Sequence, residues 1–387
     1  MKLLYVTTHQ ISNLLPLFRE LGKTKKINFK VVYWQNLDSN YYDVNFKKFI
    51  NYGIDTESGY QKFYLSKKLK KTLNFSFIFK FIILFKLIKF LIKEDFDEIV
   101  FHSSYLFPHA LGAIFCKLLG KTTIARNMSY NIGKRNFLKK KIRFLYYSFF
   151  NYFYDKYWSI HKLNENFFLD FGAKKEQINL IHHCQGEFDS LIEANKKLVL
   201  SKTDFCEKYD LPLNKNFILF VGIFNKRKNP SLLIDAFIEA RLSDDWFLIM
   251  VGKGEFEKII KDKVKINGNT NIKFFDFKNQ KELIGFFNNS EILVAPSNFG
   301  DSHCNIAAEA IQFGCAIVAS NMIGLYPEFI EEEVGLIFDI DNKSELIQKL
   351  KKLTLDKEML LRLQKNAKNY GHKKKPKFTA KQILSTY

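Results

Sequence analysis

The chain has 387 residues, 47% hydrophobic and 26% charged, with 7 prolines and 18 glycines. That balance excludes a disordered or fibrous protein and leaves room for two domains of ordinary size. Its five cysteines, at 116, 184, 206, 304 and 315, include no CxxC pair, so neither a disulfide framework nor a structural zinc site is expected. The net charge of +20 is uneven: residues 1–190 carry 30 Lys+Arg against 15 Asp+Glu, and residues 191–387 carry 30 against 25. Such a bias attracts nucleic acid, anionic membrane or phosphorylated ligands, and charge alone does not choose between them.

In chain order, MKLLYVTTHQ is too short an apolar run for a signal peptide and reads as a first strand, which fits a reducing, cytoplasmic setting. Residues 13–22 follow as a helix with Leu14, Leu17, Phe18 and Leu21 on one face. Strands are expected at 29–34, 98–103 and 122–127, and in the second half at 217–222, 247–252, 272–277, 292–297 and 316–320. Runs this apolar, each followed by helix-like sequence, predict parallel sheets buried on both faces. The fold class is therefore α/β, with two doubly wound, Rossmann-like domains facing a central cleft, where ligands meet the carboxyl ends of strands. The boundary is expected between 190 and 205, giving domains 1–195 and 196–370.

Two basic, aromatic stretches raise the question of membranes. Residues 75–93 are interrupted by Lys80, Lys86 and Lys89, which argues against a spanning helix. Lys86, Lys89 and Lys93 share one helical stripe. Either an interfacial amphipathic helix or a packed helix with one solvated edge fits. Residues 137–158, FLKKKIRFLYYSFFNYFYDKYW, pose the same alternatives. An anionic membrane surface is thus a candidate partner.

The most informative stretch is 292–328, in which a strand ends at Pro296–Ser297, a helix is expected to begin near Asp301–Ser302, and Glu309 stands eight residues after Asp301. On one continuous helix the two carboxylates would be just over two turns apart, placed for separate hydroxyls of an elongated ligand. Alone, this spacing is usually two solvated charges. The whole stretch, with Phe313-Gly314-Cys315, AIVAS and Gly324…Pro327-Glu328, resembles the donor-site motif of the retaining glycosyltransferases of family 4, which have the GT-B fold. The resemblance implies that Asp301 lies by the donor sugar and Glu309 holds the nucleotide ribose. It also implies a donor-binding segment that includes Ser302, Cys304 and Asn305. Asp301 replaces the usual Glu, and Cys304 stands where Gly is common.

A second stretch, FILFVGIFNKRKNPSLLIDAF (217–237), is similar to the same family's diphosphate loop. Lys228 falls on its diphosphate-binding lysine, Gly222 on its turn, and Ile223 on its arginine, with Arg227 or Lys226 as substitutes. MVGKGEFEKI (250–259) resembles the family's next glycine segment, with Gly252 expected on the nucleotide side. The first half resembles the family more diffusely. His9 follows the first strand in a loop without the family's glycines, His102 ends the strand EIVFHS, and Arg126 ends the next. A basic loop and a lone histidine also have bland readings as a solvated loop and a structural histidine. The resemblance implies that His102 positions the sugar or acceptor and places His9 on the acceptor side; Arg126, at its strand's end, is a candidate contact for an anionic acceptor.

The activity implied is retaining glycosyl transfer from a nucleotide-diphosphate sugar, as co-substrate and without a cofactor, to a glycan or lipid-linked acceptor. The protein would be cytoplasmic, at the inner face of a membrane. Residues 371–387 resemble the family's final helix, which returns to the first domain. An epimerase of similar fold and a basic binding protein are the competing readings. No nucleic-acid motif is evident. Asp95-Phe96-Asp97 and Asp339-Ile340-Asp341 have structural readings next to strands, so no bound metal is expected.

Overall fold

The computed structural model describes residues 1–38, 40–43, 48–51, 59–131 and 136–387, and they divide into two compact units. The first holds residues 1–43, 48–184 and 376–387. Its strands are β1 (Lys2–Thr7), β2 (Asn28–Leu37), β3 (Asn40–Asp43), β4 (Lys48–Asn51), β5 (Gln61–Lys70), β6 (Glu98–His102), β7 (Thr122–Arg126), β8 (Lys156–Ser159) and β9 (Ile178–Leu180). Apart from the antiparallel ribbon β3–β4, they form one parallel sheet in the order β5-β2-β1-β6-β7-β8-β9.

The alternation along β1 shows why the sheet is covered twice. Leu3 and Tyr5 enter one apolar cluster, and Leu4 and Val6 enter the other. The first cluster is closed by α1 (Leu15–Gly22), begun by a proline in its first turn, and by the helix Pro376–Ser385, which contributes Ala380 and Ile383. The second is closed by α2 (Phe77–Lys93), α3 (Phe107–Leu118), α4 (Phe137–Asn151) and α5 (Lys162–Asp170). The stretch 137–158 is not one element. The helix stops at Asn151, whose amide donates to the Phe171 carbonyl and whose own carbonyl accepts from the Tyr157 hydroxyl. The chain then turns into β8.

The second unit, residues 185–375, alternates strand and helix throughout. It begins with α6 (Phe188–Ala194) and α7 (Lys202–Tyr209). Then come β10 (Asn216–Val221), α8 (Pro230–Ala240), β11 (Trp246–Val251), α9 (Glu257–Ile266), β12 (Ile272–Phe275), α10 (Gln280–Asn288) and β13 (Ile292–Ala295). It continues with α11 (Asn305–Ala310), β14 (Ala316–Ser320), α12 (Tyr326–Glu331), β15 (Gly335–Phe338), α13 (Lys343–Leu355) and α14 (Lys357–Gly371). The sheet is parallel in the order β12-β11-β10-β13-β14-β15. The chain winds outward in both directions from β10 and β13, so the loops after these two strands leave the switch point where doubly wound sheets bind ligands. This unit starts before the expected boundary at 195, because Phe188 and the flanking Leu191, Ile192 and Leu198 pack into its core.

Two glycines set the loop after β10. A Cβ on Gly252 would lie 1.9 Å from the Gly222 carbonyl oxygen, and one on Gly254 would lie 2.4 Å from that of Phe224. With no side chains there, the two loops join through Phe224 N–H to Lys253 O at 3.0 Å and Phe256 N–H to Phe224 O at 2.9 Å. Gly252 also has φ +148°, a conformation that suits glycine alone. Gly252→Ala is therefore expected to cost about 3 kcal/mol. Thermal denaturation of the variant checks this, and an unchanged melting temperature would contradict the close approach.

Candidate functional site

The loop after β10 and the loop after β13 meet at Asp301. The Lys228 ammonium donates to Asp301 Oδ2 at 2.5 Å, the Ser297 hydroxyl donates to the same oxygen at 2.7 Å, and the Cys304 N–H donates to Oδ1 at 3.2 Å. Arg227 stands 3.8 Å from Oδ1. Burial alone would raise the Asp301 pKa, but the Lys228 charge and hydrogen bond, with Ser297 and Arg227, hold it below the ordinary carboxylate value. Lys228 is itself fixed: its N–H donates to Asn225 Oδ1 at 3.0 Å, one residue before Asn229, which caps α8 in the left-handed region. The structure thus brings together two residues that lie 73 apart in sequence.

The helix expected to begin near Asp301–Ser302 begins later, at Asn305. Asp301 instead bridges to Ile323, and its carbonyl accepts from Gly324 N–H at 2.9 Å. Asp301 and Glu309 therefore do not share one continuous helix. Cys304 sits at the helix cap with φ 55°, and its thiol, 1% exposed, joins the apolar core with Ala307 and Ala308. Its side chain packs within that core, and burial pushes its pKa up to about 12. Asn305 Oδ1 accepts from the Gln185 amide at 3.0 Å, and Ser302 is half-buried beside Asp301.

Glu309 is 6% exposed and has no hydrogen-bond partner among the described residues. Burial pushes its pKa up to about 8, which makes it largely the neutral acid at pH 7. Gly222 is half-buried beside the Lys228 stem. Gly252 holds the loops together, as its contact with Gly222 shows. Lys226 is exposed, and Ile223 is half-buried at the position of the family's arginine.

In the first unit, His102 ends β6 and its Nδ1 is 3.0 Å from the Tyr5 hydroxyl. Burial, with the nearby Arg126 charge, lowers its pKa to about 3, so it is a neutral imidazole at working pH. Arg126 ends β7 with 0% exposure; its guanidinium lies 5.9 Å over the Trp158 ring, and none of its three side-chain nitrogens has a hydrogen-bond partner among the described residues. The sequence directs it toward an acceptor, whereas in the structure it is enclosed. His9 is half-buried with Nδ1 2.8 Å from the Thr8 hydroxyl, and burial lowers its pKa to about 4.

Sequence reasoning misses Ser297 and Asn225, which orient Asp301 and Lys228. Each is a small polar residue at the end of a strand or in the loop after it, a signal too common to single out. Both Asp-x-Asp pairs are engaged locally: Asp95 with the Lys2 ammonium, Asp97 with the Lys2 N–H, and Asp339 with the Asp341 N–H. Among the described residues no group of three His, Cys, Asp or Glu could hold a metal ion, and no helix is long and apolar enough to cross a membrane.

Residues 201–370 match the family model described as "Glycosyl transferases group 1". The chain is 31% identical over 157 residues to N-acetylgalactosamine-N,N'-diacetylbacillosaminyl-diphospho-undecaprenol 4-alpha-N-acetylgalactosaminyltransferase of Campylobacter jejuni, a match covering 39% of this chain and 40% of that one. It is 25% identical to an uncharacterised glycosyltransferase of Methanocaldococcus jannaschii, over 75% of this chain and 74% of the relative. The whole chain also superposes on HepE of Anabaena, solved in complex with UDP, with a TM-score of 0.70 at 14% identity, covering 100% of this chain and 99% of that one. This likeness places the chain in the GT-B fold class.

Proposed function

We propose, from the premise that the second half of this chain belongs to the glycosyl transferases group 1 family, that the protein moves a sugar from a nucleotide-diphosphate donor to a glycan or lipid-linked acceptor with retention at the anomeric carbon. The observation that carries the reading is the Lys228–Asp301–Ser297 cluster at the switch point of the second sheet. Lys228, aided by Arg227, meets the developing charge of the departing diphosphate. Preorganised charge of this kind is often the largest catalytic term. Asp301 holds a donor-sugar hydroxyl and Glu309 the ribose. Gly222, Ser302 and the Asn305 segment line the same loops, and the acceptor proton passes to the leaving phosphate.

The first unit is the acceptor side, with His102 as a neutral hydrogen-bonding group that orients sugar or acceptor and His9 on the loop after β1. The enclosed, unpaired Arg126 supports an anionic acceptor, because an uncompensated buried cation is costly without one. The Campylobacter relative's name, with its diphospho-undecaprenol acceptor, supports a lipid-linked glycan. The setting proposed is a bacterial surface-polysaccharide pathway at the inner face of a membrane.

A thermal-shift screen against UDP, GDP, ADP, TDP and CMP, followed by hydrolysis of the matching sugar nucleotide, tests this. One nucleoside diphosphate should raise the melting temperature, and its sugar should turn over faster when acceptor is added. No shift with any nucleotide would sink the donor site, and isomerised sugar without acceptor would turn the reading toward an epimerase.

A further inference from the structure

A surface helix normally buries one apolar stripe. α4 buries little: of its fifteen residues only Asn151 is buried, Tyr147 packs half-buried against the core, and the side away from Tyr147 is bare. Leu138, Ile142, Leu145 and Phe149, followed by Tyr152, recur at steps of four and three, which keeps them along one line of the helix. They are 65%, 60%, 60%, 57% and 82% exposed. Single exposed apolar side chains are ordinary, but a continuous row marks a surface made for a partner.

The charges around the row say what kind of partner. Lys139, Lys140 and Lys141 are exposed within the first turns of α4, and no acid stands there. Cations at a helix N-terminus oppose its dipole, so they do not serve the helix itself. No Asp or Glu occurs anywhere between Glu98 and Asp155. A second copy of α4 would bring lysines against a surface with no acid to meet them. A cavity of about 640 Å³ adjoins the helix, walled by Phe137, Phe144 and Phe171 with Lys140, Lys141 and Arg143. The Arg143 guanidinium is held over the Tyr147, Phe167 and Phe171 rings, and the cavity's one carboxylate, Asp170, is taken up by the Asn131 amide. On the same face of the sheet, α2 exposes Ile78, Phe85 and Ile92 beside Lys86, Lys89 and Lys93.

We propose that α4 is a membrane-docking helix. It lies in the headgroup region of an anionic bilayer with the row Leu138–Tyr152 among the acyl chains, its lysines at the phosphates, and the aromatic, cationic cavity taking one lipid phosphate. α2 adds a second apolar and basic contact. The inference rests on the first unit alone and is independent of the donor-site reading.

The test is sedimentation of the full chain with phosphatidylcholine vesicles, with and without phosphatidylglycerol. Binding should require phosphatidylglycerol and weaken with salt. Leu145→Gln with Phe149→Gln should reduce binding at least about tenfold, and Lys139→Gln, Lys140→Gln and Lys141→Gln together should reduce it roughly a hundredfold. Because all five side chains are exposed, melting temperature and nucleotide binding should stay as in the parent chain. Undiminished binding by both variants would overturn the proposal. So would a concentration-dependent dimer, dissolved by the Leu145/Phe149 variant, in a chain that ignores vesicles.

Discussion

Lys228→Ala is expected to lower kcat/KM for sugar transfer by about two to three orders of magnitude, the usual cost of removing a preorganised group that meets developing charge. The Lys228 ammonium is bound to Asp301 at 2.5 Å. It is therefore held in place in the folded chain, and on the proposed reading an arriving diphosphate would share or exchange that contact. The same substitution has a separate structural signature. Lys228 and Ser297 are among the groups that hold Asp301 below the ordinary carboxylate value despite its burial. A depressed carboxyl pKa adds stability above the unfolded-state value and loses it as pH falls through the folded-state value. Removing Lys228 should thus lower the melting temperature at neutral pH, and the gap to the parent chain should close on acidification. Asp301→Asn, which retains the shape without the charge, should show little of that pH-dependent gap when combined with Lys228→Ala. Steady-state kinetics and melting curves across pH check both halves; near-parent turnover by Lys228→Ala would remove Lys228 from the mechanism.

Glu309 should respond to pH in the opposite sense. Burial pushes its pKa from the ordinary 4.5 up to about 8. The folded chain therefore keeps a proton that the unfolded chain releases, and stability falls as pH rises from about 4.5 to about 8. Glu309→Gln should remove that slope and leave the variant more stable than the parent above pH 8. The gain should reach up to a few kcal/mol, because each tenfold difference in proton affinity is worth about 1.4 kcal/mol. Donor binding should show the reverse preference. A ribose whose hydroxyls donate hydrogen bonds needs the carboxylate, so nucleotide affinity should rise with pH toward 8 and one proton should be released on binding. Titration calorimetry in buffers of different ionisation enthalpy reads that proton directly. In Glu309→Gln both the proton and most of the affinity should be lost. A variant that binds nucleotide as well as the parent would place the ribose elsewhere.

The two parallel sheets are legible because strands such as FILFVG and FLIMVG are apolar on both faces, and that pattern has few other uses. Lys228 and Asp301 are each legible as loop residues following such strands. Their contact is not, because it depends on how two loops 73 residues apart are held. The glycines that hold one of those loops look like ligand-approach glycines in sequence; only the 1.9 Å and 2.4 Å contacts reveal backbone packing. The placement of Cys304 is hidden for a related reason. A positive φ at a non-glycine residue carries no sequence signal, and it is this turn that sends the thiol into the core and delays the helix to Asn305. The stretch 137–151 shows the limit most plainly. Its apolar spacing is that of any core-facing helix, and only the exposures show that the row has no core to face.

The helix Pro376–Ser385 has a consequence for synthesis. The first unit's core includes Ala380 and Ile383, and the Thr379 hydroxyl donates to the His182 carbonyl at 3.0 Å. Domains tend to fold in the order in which they leave the ribosome, but here the first unit lacks part of its core until residues 376–387 are made. The second unit, continuous from 185 to 375 among the described residues, is complete before them. Of the two units, the one begun earlier is therefore finished later, and a nascent chain stalled before residue 376 would carry a folded second unit while the first still lacked part of its core.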